Sequence, residues 1–309
     1  HQWPIWGQAK LVDFMKKQRD IYKYIHDQTV RMANLGYTPR EIAEQLTLPK
    51  SLSSNFANRG YYGTVKHNAK AVYQRYFGWY DANPANLDPL PPVDMARRYV
   101  ETLGGDQALL HKAQLAFDAG DYRWATELLK HLVMASPDFQ PGKALLAKAF
   151  DQLGYQAESG PWRDVYLSAA FELRNGKTKT GINVADAIGL LRELPLDSFF
   201  DSMAARLNGL RADGENLKLN ISFTDLDENY VLYIENAVLH HRQAAVDTSA
   251  NVSLQITHEM FLTMLTGQAG IKDTLMSDDL NVDGSRLDLI RFFRLFDMPD
   301  GRFAIVTAD

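Results

Sequence analysis

Near the start of the chain, apolar residues recur at helical spacing: Leu11, Phe14, Met15, Ile21, Tyr22, Ile25 and Met32, with Lys16, Lys17, Arg19 and Asp20 on the other side. The spacing predicts a helix over 11–31, stopped by Gly36. Thr38-Pro39-Arg40-Glu41 opens a second helix, with Thr38 as N-cap, Pro39 in the first turn and Glu41 completing a capping box. Pro49 ends that helix. A further helix is predicted over 63–79, and the prolines of 83–92 exclude a helix there and impose an ordered or extended surface loop.

Residues 94–174 read as helical pairs. Ala113 and Gly120 recur 34 residues later as Ala147 and Gly154, with turns expected at Gly120-Asp121-Tyr122 and at Gly154-Tyr155 and with Pro137 between the pairs. A 34-residue period with small inner residues is the tetratricopeptide signature. The block is a short all-α, TPR-like repeat, or else a bundle with coincident spacing. After Asn175-Gly176-Lys177 the period changes. A helix is expected over 196–207. Leu217, Leu219, Ile221 and Phe223 then alternate with Lys218, Asn220 and Ser222, as a half-buried strand requires. Further strands are expected over 230–234, 237–241, 252–256, 279–282 and 303–306, and helices from Thr257 and over 287–296. Helices over an antiparallel sheet make this an α+β domain of about 125 residues, so the chain is multidomain.

Composition narrows the function classes. At 309 residues the chain has room for about two domains, and 46% hydrophobic with 23% charged residues is enough to bury cores. A net charge of −5 gives no general attraction to nucleic acid or anionic membrane. No apolar run approaches the ~20 residues of a spanning helix. The absence of cysteine excludes disulfides, thiolate metal clusters and a cysteine nucleophile. The chain begins at His1 without a charged and apolar leader pattern, so a processed or truncated product is expected, with any signal peptide upstream and a periplasmic or secreted setting.

Metal motifs are sparse. No HxHxDH cluster or HExxH motif occurs; Leu262 stands where the second histidine after His258-Glu259 would be, and His258 reads as a surface imidazole. His240 and His241 fall on opposite faces of a strand. Asp279, Asn281, Asp283 and Gly284 resemble the opening of a calcium loop, but Ile290 occupies the place of the required acid, and Asp283-Gly284 reads as a tight turn. Phosphate loops, dinucleotide fingerprints and nucleophile elbows are absent.

Two segments remain. His1-Gln2-Trp3-Pro4-Ile5-Trp6-Gly7 sets an imidazole beside a rigid aromatic-proline turn. Residues 58–81 gather Arg59, Lys66, His67, Asn68, Lys70 and several tyrosines between glycines, a composition suited to an oxyanion such as sulfate, phosphate or carboxylate. A helix beginning at Gly63 would add its N-terminal N–H groups. An aromatic hinge with solvated charges fits the same composition.

These two segments also carry a resemblance. His1-Gln2-Trp3-Pro4, Arg59-Gly60-Tyr61-Tyr62-Gly63-Thr64, His67-Asn68, Lys70-Ala71-Val72-Tyr73, Gly78-Trp79-Tyr80-Asp81, Asn83-Pro84-Ala85 and Pro89-Leu90-Pro91-Pro92 resemble the alkyl/aryl-sulfatases of the metallo-β-lactamase superfamily. The resemblance implies that residues 1–10 end a metallo-β-lactamase-type domain, that 11–174 form a helical dimerisation domain, and that 180–309 form a sterol-carrier-protein-like domain. It implies an enzyme that hydrolyses alkyl sulfate esters to alcohol and sulfate with two zinc ions, and a homodimer. His1 would be the last zinc ligand, and the remaining ligands and the proton donor would lie upstream, so residues 1–309 alone are expected to be inactive. Arg59, His67, Asn68 and Tyr73 are the residues expected to bind the sulfate group. Phe199, Phe223, Phe261, Leu262, Leu265, Phe292, Phe293 and Phe296 are expected mostly as core, with an alkyl-chain tunnel as the other possibility. A non-catalytic helical-repeat and lipid-carrier module is the alternative to the enzyme, and a phosphatase or other esterase a third option.

Overall fold

The computed structural model describes residues 3–179, 181, 188–265, 280–298 and 301–308. The chain divides into two compact units, residues 1–178 with 303–309, and residues 179–302.

The first unit is helical. α1 (Gln8–Asn34) buries Ile21, Ile25, Thr29 and Met32, and the chain leaves it through Gly36 at φ +89°. α2 (Pro39–Gln45) starts as its sequence predicts: Glu41 Oε2 accepts the Thr38 N–H at 2.8 Å, and Thr38 Oγ1 accepts the Glu41 N–H at 3.4 Å. After α3 (Lys50–Ser53) and a 3-10 turn (Phe56–Asn58) comes α4 (Val65–Phe77), capped by Thr64 and ended by Gly78 at φ +75°. These helices share a small core of Ile21, Ile25, Met32, Ile42, Leu46, Ala69 and Tyr73.

Five helices follow: α5 (Pro92–Thr102), α6 (Asp106–Asp118), α7 (Tyr122–Ala135), α8 (Gln140–Gln156) and α9 (Gly160–Asn175). Their core includes Leu109, Ala113, Leu129, Leu132, Leu146 and Ala147, all fully buried. The turn at Gly120-Asp121 lies as expected, with Gly120 at φ +78° and Asp121 capping α7. The one expected at Gly154-Tyr155 does not. Gly154 is inside α8, where a Cβ would come to 2.9 Å from Leu167 Cδ2 of α9. It admits a close helix crossing, and the turn falls at 157–159. The expected strand over 303–306 is also absent. There the backbone N–H groups of Ile305 and Val306 are donated to the Glu172 carboxylate of α9, each at 2.9 Å, and Val306 packs on the helical core.

The second unit is α+β. Its elements are α10 (Ile188–Arg192), α11 (Leu196–Ala204), α12 (Gly209–Ala212), β1 (Lys218–Phe223), β2 (Glu228–Glu235), β3 (Val238–Gln243), β4 (Val252–Ile256), α13 (His258–Leu265), β5 (Asn281–Gly284) and α14 (Arg286–Arg294). The sheet order is β3-β2-β1-β4-β5. It is mixed and not antiparallel throughout, because β1 and β4 run parallel, with Leu219 opposite Val252. The β2–β3 hairpin turns on Asn236 and Ala237, both at positive φ. Asp283-Gly284 is not a turn: the pair lies in β5 opposite Ser253 and Val252. Asp279 lies outside the described residues.

Packing settles the apolar set. Phe199, Phe223, Phe261, Leu262, Phe292 and Phe293 are buried in one core, and Leu265 and Phe296 pack against it. Phe223 and Phe261 stack edge to face with ring centres 5.4 Å apart. These side chains fill space between sheet and helices.

Candidate functional site

The loop of residues 59–64 joins the 3-10 turn to α4, and every anchor around it is local chemistry brought together by the fold. Asn55 caps the 3-10 turn through Ala57 N–H. Asn58 is buried; its Nδ2 donates to the Leu52 carbonyl at 3.0 Å and its Oδ1 accepts from Gln18 Nε2 of α1 at 2.7 Å. On the far side the α8–α9 turn clasps the loop. Ser159 Oγ donates to the Tyr62 carbonyl at 2.6 Å, Gly160 N–H donates to the Tyr61 carbonyl at 2.9 Å, and Glu158 pairs with Arg59 at 2.5 Å.

Aromatic rings stack beside the loop. Trp3 lies against Phe56 with centroids 5.1 Å apart, Phe56 stacks on Tyr61 at 5.8 Å, and the Arg59 guanidinium sits 5.5 Å above the Phe56 ring. The segment beginning at Trp3 is thereby laid over the cationic loop. A cavity of about 290 Å3 opens here, lined by Arg59, Tyr61, Tyr62, Gln18, Tyr22 and Asn68 among others. A half-exposed guanidinium, side-chain amides and three tyrosines around a small cavity are suited to a tetrahedral anion with an organic substituent.

The structure separates the four expected sulfate contacts. Arg59 and Asn68 line the same cavity. His67 does not; it is exposed elsewhere on α4, and its Nδ1 accepts from Trp162 Nε1 at 3.2 Å. Tyr73 stands apart from that cavity. It is 8% exposed, on the inner stripe of α4 four residues after fully buried Ala69, with its ring 4.9 Å from Phe77. The α4 N-terminus is also partly spoken for, since Thr64 Oγ1 takes the His67 N–H. Gln18, Tyr61, Tyr62 and Ser159 are the residues sequence reasoning passed over. Only the tyrosines, inside the singled-out segment, carried a signal.

His1 lies outside the described residues. Among the described residues no three histidine or carboxylate groups converge on a common point to hold a metal. His258, expected at the surface, is buried, with its backbone N–H donated to Asp225 and its ring edge-to-face with Phe223. His240 stacks on Tyr233 at 4.9 Å, whereas His241 faces Phe200.

Two family models match the chain: alkyl sulfatase dimerisation over residues 38–176 and alkyl sulfatase C-terminal over residues 185–308. The chain is 43% identical over 307 residues to a linear primary-alkylsulfatase of Pseudomonas sp., an alignment that takes in 99% of this chain and 46% of that protein. It is 42% identical over the same length to the alkyl/aryl-sulfatase BDS1 of Saccharomyces cerevisiae, covering 99% of this chain and 47% of the other. The solved stereoselective inverting sec-alkylsulfatase Pisa1 from Pseudomonas sp. matches with a TM-score of 0.91 at 38% identity, over 100% of this chain and 48% of that one. The chain spans about half the length of the curated relatives it matches.

Proposed function

Since the chain belongs to the alkylsulfatase family, as the dimerisation and C-terminal portion of such a protein, we propose that it serves a sulfuric ester hydrolase converting alkyl sulfate esters to alcohol and sulfate. The loop of residues 59–64 and the first turn of α4 supply the sulfate-binding side chains, with the Arg59 guanidinium neutralising the sulfate and Asn68 donating its amide. Sulfate departs readily once its charge is matched and its ester oxygen is protonated, so positioning is this loop's main task. The aromatic stack Trp3–Phe56–Tyr61 beneath Arg59 carries this reading, because it brings the segment that follows His1 onto the cationic loop.

Zinc dependence belongs to the same proposal. Within it, His1 is the zinc ligand this chain would offer, beside metal ligands carried by the rest of the protein. Residues 38–176 are proposed to form a homodimer. The TPR-like reading of the helical block draws support from Ala113 and Ala147, fully buried and each eighth in its helix, α6 and α8. The sterol-carrier likeness of the second unit is proposed alongside it.

The test is release of inorganic sulfate from dodecyl sulfate by the whole protein that contains this chain, with Arg59→Ala and with a chelator. Arg59→Ala is expected to lower kcat/KM by about 100-fold, in the range seen for loss of one anion-stabilising donor. Chelation is expected to abolish turnover, and residues 1–309 alone to show none. Full activity in Arg59→Ala overturns the loop assignment. Chelator-insensitive turnover overturns the zinc reading, and hydrolysis of phosphate esters alone favours the phosphatase. No turnover of any ester by the whole protein leaves the non-catalytic module.

A further inference from the structure

A second, larger concavity of about 730 Å3 opens in the helical unit between α2, α4, α7 and the α8–α9 turn, and it shares no lining residue with the cavity at Arg59. Its volume lies within the ~300–1,000 Å3 of sites that hold small organic ligands. Trp124, Trp162, Tyr166 and Leu153 supply an apolar wall, and Trp124 leaves half of its large surface open to solvent.

The charges around this wall are unequally satisfied. Glu44 accepts from Lys66 at 2.8 Å and from Arg123 at 2.9 Å. Glu127 is engaged by Lys130 at 2.6 Å, and Asp121 is occupied in capping α7. The acids of the groove are thus committed to protein partners. Arg40 and Lys70 have no carboxylate partner among the described residues, and the Lys70 ammonium is held 5.5 Å from the centre of the Trp162 ring. Uncompensated cations beside an open aromatic wall match a ligand with an anionic head and an apolar body.

We propose that this groove binds amphiphilic anions, a sulfate or carboxylate head on an n-alkyl chain, with the head at Lys70 and Arg40 and the chain against Trp124 and Leu153. Such a site is additional to the one at Arg59 and does not depend on the hydrolytic reading, because a non-catalytic chain with this groove would bind the same ligands.

Calorimetric titration of residues 1–309 with octyl sulfate, kept below its micelle concentration, tests this, with octanoate, octyl glucoside and inorganic sulfate in parallel. Saturable binding of at least one of the two amphiphilic anions is expected, and which of them binds assigns the head to sulfate ester, carboxylate or both. Octyl glucoside and inorganic sulfate are expected to bind at least tenfold more weakly. Arg40→Gln with Lys70→Gln is expected to weaken the anion at least tenfold, while Arg59→Ala retains a site of unchanged affinity. Lys70→Gln alone, an exposed change, is the check should the double variant unfold, and it is expected to weaken binding several-fold. The proposal is overturned if neither anion binds saturably, or if the Lys70 and Arg40 variants bind as the parent does. Loss of all binding in Arg59→Ala, or inorganic sulfate binding as tightly as octyl sulfate, overturns it equally.

Discussion

Gly284 closes β5 at φ +98°, and a Cβ built there would overlap the carbonyl oxygen of Asn251, a backbone atom that cannot swing aside. Gly36 has a similar φ of +89° after α1 but open space around it. The two positions separate the cost of backbone conformation from the cost of close approach. Gly36→Ala is expected to cost about 1 kcal/mol, the left-handed penalty alone. Gly284→Ala adds overpacking against a strand and is expected to cost about 3 kcal/mol. Denaturant unfolding followed by far-UV circular dichroism measures both; equal losses would mean that the β4–β5 edge yields to the added methyl. The same contrast applies at the candidate site. Arg59 and Tyr73 both looked suitable for an anion by chemical type, yet one is half exposed on a clasped loop and the other is core.

At the scale of elements, Glu44 does the joining in the helical unit. It sits on α2 and accepts from Lys66 of α4 and Arg123 of α7, and these two cations hold its carboxyl down to about 2 from the usual 4.5. A carboxyl depressed in the folded state stabilises fully above its unfolded value, and that stabilisation is lost as pH falls from about 4.5 towards 2. Glu44 and Lys66 are about half exposed and Arg123 more so, so solvent screening reduces the contribution to about 1 kcal/mol. Glu44→Gln is expected to lower Tm by a few degrees at pH 7 and to leave it nearly unchanged at pH 2.5. An equal drop at both pH values would show that the side chain acts through packing and not charge. A helix start of this kind was legible from single residues at Thr38, because a cap bonds an N–H only two or three positions on. The end of α8 was not legible, because Gly154 serves a neighbouring helix and not a turn.

At the scale of the whole molecule, the two units keep separate hydrophobic cores, one around the Phe200–Phe223–Phe261 cluster and the others among the helices. The proposed homodimer would form through the helical unit, whose residues 38–176 match the alkyl sulfatase dimerisation family. Sedimentation of residues 1–309 at micromolar concentration is expected to give twice the mass of one chain, and a monomer overturns that assignment.

What the sequence by itself determined is whatever is decided within a few residues. The caps, the glycine stops, the alternation of β1 and the change from helical to sheet-forming periodicity all belong here, as does the motif that carried the family resemblance. Tertiary structure alone decided the rest. His67, Asn68 and Tyr73 are close in sequence, but a helix turns about 100° per residue and points them in different directions, so only Asn68 reaches the Arg59 cavity. The clasp of Ser159 on Tyr62, 97 residues away, leaves no local trace in the sequence. Neither does the parallel pairing of β1 with β4, nor the uneven sharing of carboxylates that leaves Lys70 and Arg40 open. Local signals report the bonds a residue makes along its own chain, whereas a site is made by segments that meet only once the cores have packed.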